Sequence, residues 1–352
     1  MKRLRLVLLI FAVLVLGIGN FVIWTYKELN APYSHSRSLE YIEIPRGTSP
    51  LEIIAKLTSQ GIIRRSWPLS VYMKLTGRAA RLKAGAYRFQ TPISPLEVLH
   101  KLEEGEERLR KFTVIEGWTR WDIADALARV PELQQHNSSE SLALMNDVSA
   151  IKDLDPLAQN LEGYLYPDTY SFSIDATAGQ MIGTMIKRFR QEWKPEWTDR
   201  AHSLNMTTRQ IVTIASLIET EAKLPEERAI ISSVIYNRLK TNMTLGIDSS
   251  IIYASKLAGK WKNNGKVYLS DVNRQSPYNT RLYAGLPPGP IAAPSSTSLE
   301  AALFPSDTSY LFYVREPSRN DGAHNFYTNE SDFSRGVEAL RKWERERNAL
   351  QK

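Results

Sequence analysis

The longest apolar run of the sequence lies close to its first residue. Residues 6–24 read LVLLIFAVLVLGIGNFVIW, and Asn20 is the only clearly polar residue among them. A helix needs about 20 predominantly apolar residues to cross the hydrocarbon core of a bilayer. The pattern therefore predicts a transmembrane helix over residues 6–26.

The charges on either side of this run predict its orientation. Lys2, Arg3 and Arg5 precede it, whereas Lys27 and Glu28 cancel each other after it. By the positive-inside rule, the first five residues are cytoplasmic and the bulk of the chain lies across the membrane. A cleaved signal peptide is the alternative, but its apolar region is usually shorter and ends in small residues. Because this run ends in bulky aromatic residues, an uncleaved single-pass anchor is favoured.

A polar linker at residues 27–40 is followed by two imperfect copies of one pattern. Apolar and polar residues alternate up to Gly47 and again up to Gly117, and an apolar period of helical spacing follows each glycine. Alternation predicts a half-buried strand, and the spacing after it predicts an amphipathic helix. The pattern resembles LysM-type glycan-binding modules. Small α+β packing units without a ligand are the alternative.

Two Ser-Pro pairs mark the predicted starts of helices in this region. Ser49-Pro50 follows the first glycine, and Ser94-Pro95 repeats it between the two copies. Serine suits the cap of a helix, and proline suits its first turn because the missing N–H would have no partner there.

The middle of the chain, residues 111–205, mixes two patterns. Residues 161–170 (LEGYLYPDTY) are rich in tyrosine and interrupted by proline, which predicts an ordered loop. Its rings could stack on sugars, but they could equally fill a core, and the core interpretation is slightly favoured. From Ala178 to Trp193 an apolar stripe returns at helical spacing.

The segment Thr207–Leu239 carries the candidate chemistry. A break at Leu224-Pro225 divides it into two predicted helices. Proline suits the first position of the second helix, and the two glutamates that follow it suit the positive end of the helix dipole.

The first of these helices contains two glutamates with different predicted environments. At about 100° per residue, Glu221 falls inside the apolar arc, whereas Glu219 falls just outside it and can reach Lys223 at i+4. A carboxyl group in apolar surroundings has a raised pKa, as a general acid near neutral pH requires. We therefore predict that Glu221 is the desolvated acid. The alternatives are a buried structural glutamate paired with an arginine and a glutamate at the solvent-exposed edge of the helix.

Composition narrows the classes of function. The 352 residues include no cysteine, which excludes disulfides, thiol nucleophiles and thiolate metal sites. The five histidines show no ligand spacing, so no metal and no cofactor is expected. A net charge of +7 suits an anionic partner, but the chain has no basic run with interleaved aromatic residues, which argues against nucleic acid.

A series of motifs then resembles the endolytic murein transglycosylases, the MltG-like (YceG-like) family. The helix Ile214–Ala222 is similar to the family's signature helix. Further similar motifs follow in order: Glu227-Arg228, Val234–Leu239, Met243, Leu245, Asp248, Tyr278–Thr280, Gly285–Ile291 and His324–Phe326. The resemblance covers essentially the whole chain.

The resemblance implies a lytic transglycosylase of peptidoglycan whose catalytic acid is the second glutamate of the E-x-E pair, Glu221. It also implies that one carboxyl group suffices, because the C6 hydroxyl of the muramic acid closes an anhydro ring without water. The auxiliary substrate-binding residues it suggests are Glu219, Asn237, Asp248, Tyr278, Asn279, Gly285, Leu286, Pro287, Pro288, Gly289 and His324.

Two departures from the family's pattern are visible. Gly246-Ile247 replaces a Gln-Ser/Thr pair before Asp248, and Phe333-Ser334 stands where a His-Asn pair is usual. Both put auxiliary substrate contacts in doubt, and neither affects Glu221.

Two other functions remain open. A hydrolytic muramidase would use Glu221 as acid and Asp248 as base or nucleophile. A non-catalytic wall-binding scaffold of the cell-wall synthesis machinery would need neither group.

The sequence thus predicts an α+β protein of the inner membrane with its bulk in the periplasm. Its expected partners are peptidoglycan glycan strands, the membrane and, as candidates, peptidoglycan synthases. The predicted segments are residues 1–5 (cytoplasmic), 6–26 (transmembrane anchor), 27–40 (linker), 41–110 (LysM-like domain), 111–205 (intermediate region) and 206–352 (catalytic domain).

Overall fold

The computed structural model describes residues 2–38, 40–105, 110–133, 137–172 and 176–350, without the side chains of residues 2–10, 12, 132 and 350. It is a mixed α+β structure, as predicted, and it divides into two compact units, Met1–Arg110 and Lys111–Lys352.

The first unit places helices on a small antiparallel sheet. Its strands, β1 and β2, pair with Glu43 opposite Ala86. Buried side chains of the helices and of β2, among them Ile54, Leu57 and Tyr87, form one core. The elements are α1 (Lys2–Asn30), β1 (Ile42–Ile44), α2 (Pro50–Ser59), α3 (Ser66–Thr76), a 3₁₀ turn (Arg78–Arg81), β2 (Gly85–Tyr87) and α4 (Pro95–Glu104).

The predicted caps of α2 and α4 are confirmed. Ser49 and Ser94 each accept a hydrogen bond from the backbone of a glutamate three residues later, and that glutamate's carboxylate accepts one from the serine backbone. Each reciprocal pair satisfies N–H groups that the first turn of a helix leaves without partners.

The predicted anchor lies within α1. Among the residues that the structure describes, no helix is both long enough and apolar enough to cross a membrane. The side chains of residues 6–10 and 12 of the predicted anchor, and those of the predicted cytoplasmic segment 1–5, lie outside the described residues. The transmembrane prediction is therefore not confirmed.

The second unit is mainly helical. Its β3 pairs with β4, and its β5 pairs with β6 in an antiparallel hairpin. The elements are β3 (Arg110–Thr113), α5 (Arg120–Ala128), α6 (Ser138–Leu144), β4 (Thr169–Phe172), α7 (Ala178–Glu192), α8 (Pro195–Ser203), α9 (Thr208–Glu221), α10 (Arg228–Lys240), α11 (Asp248–Leu257), α12 (Leu269–Val272), α13 (Ser296–Leu303), β5 (Phe312–Arg315), β6 (His324–Tyr327) and α14 (Glu330–Leu350), with 3₁₀ turns at Pro131–Leu133, Ser149–Ile151 and Pro225–Glu227.

Helix α9 runs through the core of this unit. Every residue from Ile211 to Ile218 is buried, and α8, α10, α11 and α13 all contact the helix. The tyrosine-rich segment 161–170 also belongs to the core, since Tyr164, Tyr166 and Tyr170 are all buried. Its rings therefore fill the interior, as the favoured interpretation has it.

Candidate active site

Glu221 is the last residue of α9. The helix begins with Thr207 as its cap, and it ends because Ala222 turns to an extended conformation and its N–H closes the last turn on the Ile218 carbonyl. Pro225 then opens the 3₁₀ turn that leads into α10. The chain thus leaves a carboxyl group at the negative end of a helix dipole, a position that disfavours the ionised form.

The surroundings of Glu221 confirm the predicted desolvation. Glu221 is half-buried as a residue. Burial of its carboxyl group is the main reason why the pKa of that group is raised above the usual value. The nearby Asp248 carboxylate acts in the same direction. A hydrogen bond at 2.9 Å from the Tyr313 hydroxyl to Oε2 of Glu221 opposes them, as do the charges of His324 and Lys223.

Tyr313 and His324 come from the two strands of the hairpin. The two rings meet edge to face, with their centroids 5.3 Å apart. His324 is held in turn by the buried Glu227, whose carboxylate accepts from the His324 backbone at 2.8 Å and lies 2.7 Å from Nδ1. His324 is therefore a partnered histidine that lies beside the acid, and its Nδ1 atom is already in use.

Asp248 is the second carboxylate near Glu221. It opens α11 and is exposed, and its Oδ1 accepts from Nη2 and Nε of Arg281 at 2.6 and 2.9 Å. The hydroxyls of Thr220 and Ser249, 2.7 Å apart, join the end of α9 to the first turn of α11. An exposed carboxylate beside a desolvated carboxyl fits different roles for the two groups.

The structure corrects the prediction for Glu219. Its side chain is only 5% exposed, and it does not form the predicted i+4 pair with Lys223. Instead it lies 3.5 Å from Arg228 and accepts from the backbone and hydroxyl of Ser295, at 2.8 and 2.5 Å. The helical wheel describes one helix alone, whereas here α10 and the cap of α13 cover the face that the wheel leaves to solvent.

Two predicted substrate-binding amides are used inside the fold. The Asn237 amide donates to the carbonyls of Thr308 and Tyr310 at 2.8 and 2.9 Å. The Asn279 amide, fully buried, donates to the carbonyls of Val272 and Arg274 at 2.8 and 3.0 Å. Neither side chain keeps its two N–H groups free for a sugar, so both residues are better explained as clamps on loops.

Other predicted residues lie around a cavity at the opposite end of α9. The Pro288 carbonyl accepts from Nε of Arg209 at 2.6 Å, and a Cβ on Gly289 would come within 2.9 Å of the same guanidinium. Arg209 and Glu221 are twelve residues apart on one helix, which corresponds to about 18 Å. The cavity, of about 350 Å³, is lined by Asp155, Gln159, Asn160, Glu162, Tyr164, Arg209, Leu257, Pro277, Tyr278, Pro288, Gly289 and Pro290.

The other predicted residues of the motif Gly285–Ile291 lie next to this cavity. Leu286 and Pro288 line an open depression of about 470 Å³ beside the cavity. Pro287 is buried, and Gly285 adopts a φ of +91°, which favours glycine. The motif Gly285–Ile291 therefore bonds to Arg209 and, through the Ile291 N–H, to Ser216, both on α9 and away from the Glu221 carboxyl.

Two functional candidates were not predicted from the sequence. Glu162 is 4% exposed in that cavity, and burial raises the pKa of its carboxyl to about 8. Tyr313 is separated from Glu221 by 92 residues. The sequence places aromatic residues around position 313, but only the pairing of β5 with β6 determines which ring faces the acid.

The two departures from the family pattern have structural counterparts. Gly246 adopts a φ of +66°, a conformation that a side chain rarely permits, and its N–H donates to the Thr280 carbonyl. Phe333 stacks on Phe312 of β5, with the ring centroids 5.0 Å apart. The position thus packs the hairpin and offers no polar contact through its ring.

No group of three or more acidic or histidine side chains that could hold a metal ion occurs among the described residues.

Comparison with known proteins places these features in a family. The model of the YceG-like family matches residues 42–339. An endolytic murein transglycosylase of Bacillus subtilis is 32% identical over 313 residues, which is 84% of each chain. One of Streptococcus pneumoniae is 28% identical over 331 residues, and the match covers 86% of this chain and 59% of that relative.

A solved structure agrees. The crystal structure of a YceG-like protein from Listeria monocytogenes has a TM-score of 0.57 and 30% sequence identity, covering 85% of this chain and 99% of its own. The chain spans 59% of the length of the pneumococcal relatives that it matches. The family match nevertheless extends from β1 into α14, and on this evidence the chain belongs to the YceG-like family.

Proposed function

We propose that this protein is an endolytic lytic transglycosylase of peptidoglycan and that Glu221 is its catalytic acid and base. The observation that carries the proposal is the state of the Glu221 carboxyl. Burial raises its pKa, and its hydrogen bond comes from a neutral hydroxyl rather than from a cation. A carboxyl in this state can hold a proton near neutral pH and still give it up.

The proposed reaction needs one such group. Protonated Glu221 gives its proton to the glycosidic oxygen between N-acetylmuramic acid and N-acetylglucosamine, and the bond from that oxygen to C1 of the muramic acid breaks. The carboxylate then takes the proton of the C6 hydroxyl as O6 bonds to C1. The products are a 1,6-anhydro end and a free N-acetylglucosamine hydroxyl, and Glu221 is protonated again. Because the nucleophile belongs to the substrate, its effective concentration is high.

The names of the relatives support the substrate. Both relatives described above are endolytic murein transglycosylases. Cleavage within nascent strands would end their elongation, and a site of action beside peptidoglycan synthases follows from that substrate.

Hydrolysis is the second candidate because Asp248 is close enough to raise the pKa of Glu221. Two carboxyl groups of unequal pKa are what a muramidase uses. However, Asp248 is exposed and bonded to Arg281, so its orientation is set by that pair. Product mass separates the two reactions, since an anhydro end has one water less than a reducing end.

The decisive experiment is digestion of purified peptidoglycan by the full chain in detergent, with products identified by mass spectrometry. The parent should release anhydro-muropeptides, and Glu221→Gln should release at least about a hundredfold fewer, the usual scale of losing an acid catalyst. Glu226→Gln, an exposed glutamate five residues later, is the matched control and should behave as the parent. Equal product from a folded Glu221→Gln protein would contradict the proposal and favour the scaffold.

We further propose that residues 6–26 anchor the protein in the inner membrane, with the bulk of the chain in the periplasm. Support comes from the sequence of the run, its preceding cations and the exposure of its described apolar side chains from Phe11 to Trp24. Extraction of membranes at alkaline pH tests this. The full chain should stay with the lipid, whereas residues 30–352 should be released, and release of both would contradict the anchor.

The first unit is proposed as a LysM-like module that holds the glycan. Its order of strand, two helices and strand, with β1 and β2 antiparallel, is compatible with such a module. Pull-down of the full chain on insoluble peptidoglycan, with Glu221→Gln to prevent cleavage, tests retention. Retention that did not fall when residues 41–105 were deleted would contradict this role.

A further inference from the structure

The Tyr313 hydroxyl donates the hydrogen bond that Glu221 receives within the described part of the structure. It reaches Oε2 at 2.9 Å. Burial raises the pKa of Tyr313 well above its usual value, so the hydroxyl keeps its proton at any pH at which the protein would work. Tyr313 is therefore a permanent neutral donor to one of the two carboxyl oxygens.

We propose that Tyr313 is the positioning residue of the acid: it occupies Oε2 and thereby assigns the transferable proton to Oε1. This inference rests on the proposed function and adds a residue to it. A protonated carboxyl has one O–H group and one carbonyl oxygen. Since Oε2 already accepts from Tyr313, the carbonyl oxygen is Oε2 and the O–H group is on Oε1.

The same hydrogen bond serves both states of the reaction. When Oε1 has released its proton, the negative charge spreads over both oxygens, and the Tyr313 donor is already in place to stabilise it. A donor that need not reorient as charge develops lowers the cost of the step. A hydrogen bond to the ionised form also lowers the pKa of a carboxyl, which here partly offsets the effect of burial.

The Tyr313 ring packs against two neighbouring rings of the hairpin, those of Phe326 and His324. In the hairpin, Tyr313 pairs with Phe326 across the strands, and the two ring centroids are 6.1 Å apart. His324 meets the Tyr313 ring edge to face, and its own position is fixed by two contacts with the carboxylate of Glu227. The hydroxyl therefore has little freedom to turn away from Glu221.

The other charges near the pair come from different elements. Asp248 at the start of α11 raises the pKa of Glu221, whereas His324 on β6 and Lys223 after α9 lower it. Arg238 on α10 and Asp248 act on Tyr313 with opposite signs. The contribution of Tyr313 is separable from these because replacing its hydroxyl with hydrogen changes no formal charge.

The first test is the pH dependence of the rate at which Tyr313→Phe releases anhydro-muropeptides. Without the donor, the Glu221 carboxyl should stay protonated to higher pH, so the basic limb of the profile should move up by about one pH unit. The maximal rate should fall because the proton is no longer assigned to one oxygen. Tyr310→Phe is the matched control, since Tyr310 comes just before β5 and its ring also packs on Phe326, and the profile of this variant should equal the parent's. Loss of packing alone would lower the rate without moving the limb, and that result would overturn the inference.

A second measurement does not depend on activity. The carboxyl carbons of glutamate, labelled with ¹³C in the full chain, can be titrated by NMR, with the Glu221 signal identified by its loss in Glu221→Gln. Its titration midpoint should move up by about one pH unit in Tyr313→Phe and stay in place in Tyr310→Phe. An unchanged or lower midpoint in Tyr313→Phe would overturn the role of Tyr313. Absence of anhydro products from the parent would instead overturn the proposed function and leave this titration to decide the role of Tyr313.

Discussion

Glu219 and Glu221 lie two residues apart on α9, but their carboxyl groups have different kinds of partner. The Glu219 carboxyl lies beside the Arg228 cation and accepts two hydrogen bonds from Ser295, whereas the Glu221 carboxyl is desolvated and accepts one from a neutral hydroxyl. Removing one partner of a buried, hydrogen-bonded pair destabilises the fold because the other partner is left buried without compensation. A carboxyl that lacks a cation costs stability when it ionises.

This contrast predicts opposite results from two substitutions. Glu219→Ala should lower the free energy of unfolding by about 2–4 kcal/mol, because it removes the partner of a buried arginine and the acceptor of the Ser295 cap. Glu221→Gln should leave it unchanged or raise it at pH 8, because an amide does not ionise. Urea denaturation of both variants beside the parent measures the difference. Comparable losses would show that Glu221 also has a structural role.

Glu162 provides a pH-dependent prediction. Its carboxyl has a pKa of about 8 in the folded protein because of burial, against 4.5 as its ordinary value. Between these values the folded state holds a proton that the unfolded state has released. The contribution of Glu162 to stability is therefore greatest below pH 4.5 and is lost as the pH rises towards 8, by at most about 1.4 kcal/mol per pH unit.

Glu162→Gln removes this dependence. The amide keeps the shape and can still accept from the Arg120 backbone, which donates to Glu162 at 3.0 Å. The difference in unfolding free energy between variant and parent should therefore grow in favour of the variant from pH 5 to pH 8. Glu226→Gln, an exposed site, should show no such trend. A constant difference for Glu162→Gln would mean that the carboxyl titrates normally.

At the scale of elements, more than one side chain of α10 holds the start of the hairpin β5–β6. Arg238 donates to the Leu311 carbonyl at 2.6 Å, and Asn237 binds the chain slightly earlier. The Asn237 amide holds the carbonyls of Thr308 and Tyr310, just before β5 begins. Asn237→Ala leaves two carbonyls without their donor, which should cost about 2 kcal/mol. It should also lower the rate of anhydro-product release, because β5 carries Tyr313 to Glu221.

Denaturation and product assays on the same preparation measure both effects of Asn237→Ala. Asn264→Ala is the control, since that amide donates to the Tyr268 hydroxyl at an exposed site. Loss of stability with full activity would show that the hairpin keeps its place without this clamp.

A structural feature could be predicted from the sequence when the residues that determine it lie close together in the chain. The caps of α2 and α4 are decided within four residues, so Ser49 and Ser94 could be identified from the sequence. Glu221 could also be singled out, because the apolar arc that buries it belongs to its own helix. The partners of Glu219, by contrast, are contributed by elements up to 76 residues away, which no pattern within α9 contains.

The roles of the predicted site residues could be assigned only from the fold, because their partners also lie far away in the sequence. Asn237 and Asn279 lie in motifs that suggest sugar contacts, yet both hold backbone carbonyls, because buried carbonyls need donors as much as a ligand does. Tyr278 and Gly289 lie in the same stretch of motifs, and they line a cavity about 18 Å from Glu221 along α9.

At the scale of the whole molecule, two hydrophobic clusters that share no residue form the cores of the two units. Leu57 in α2 and Leu127 in α5 are fully buried, one in each cluster. They occupy the same position in the two copies of the sequence repeat, eight residues after the cap residues Ser49 and Thr119. The pair therefore offers the same substitution in the same local setting, once in each core.

Leu57→Ala and Leu127→Ala should each cost about 2–5 kcal/mol, the usual loss for a leucine removed from a well-packed site. Native-state hydrogen exchange locates the loss. For Leu57→Ala, the amides with reduced protection should lie within Met1–Arg110, and for Leu127→Ala within Lys111–Lys352. Since Glu221 belongs to the second unit, only Leu127→Ala should also lower product release near the temperature at which that unit unfolds. Equal loss of protection across both units from either substitution would show that the two clusters unfold as one.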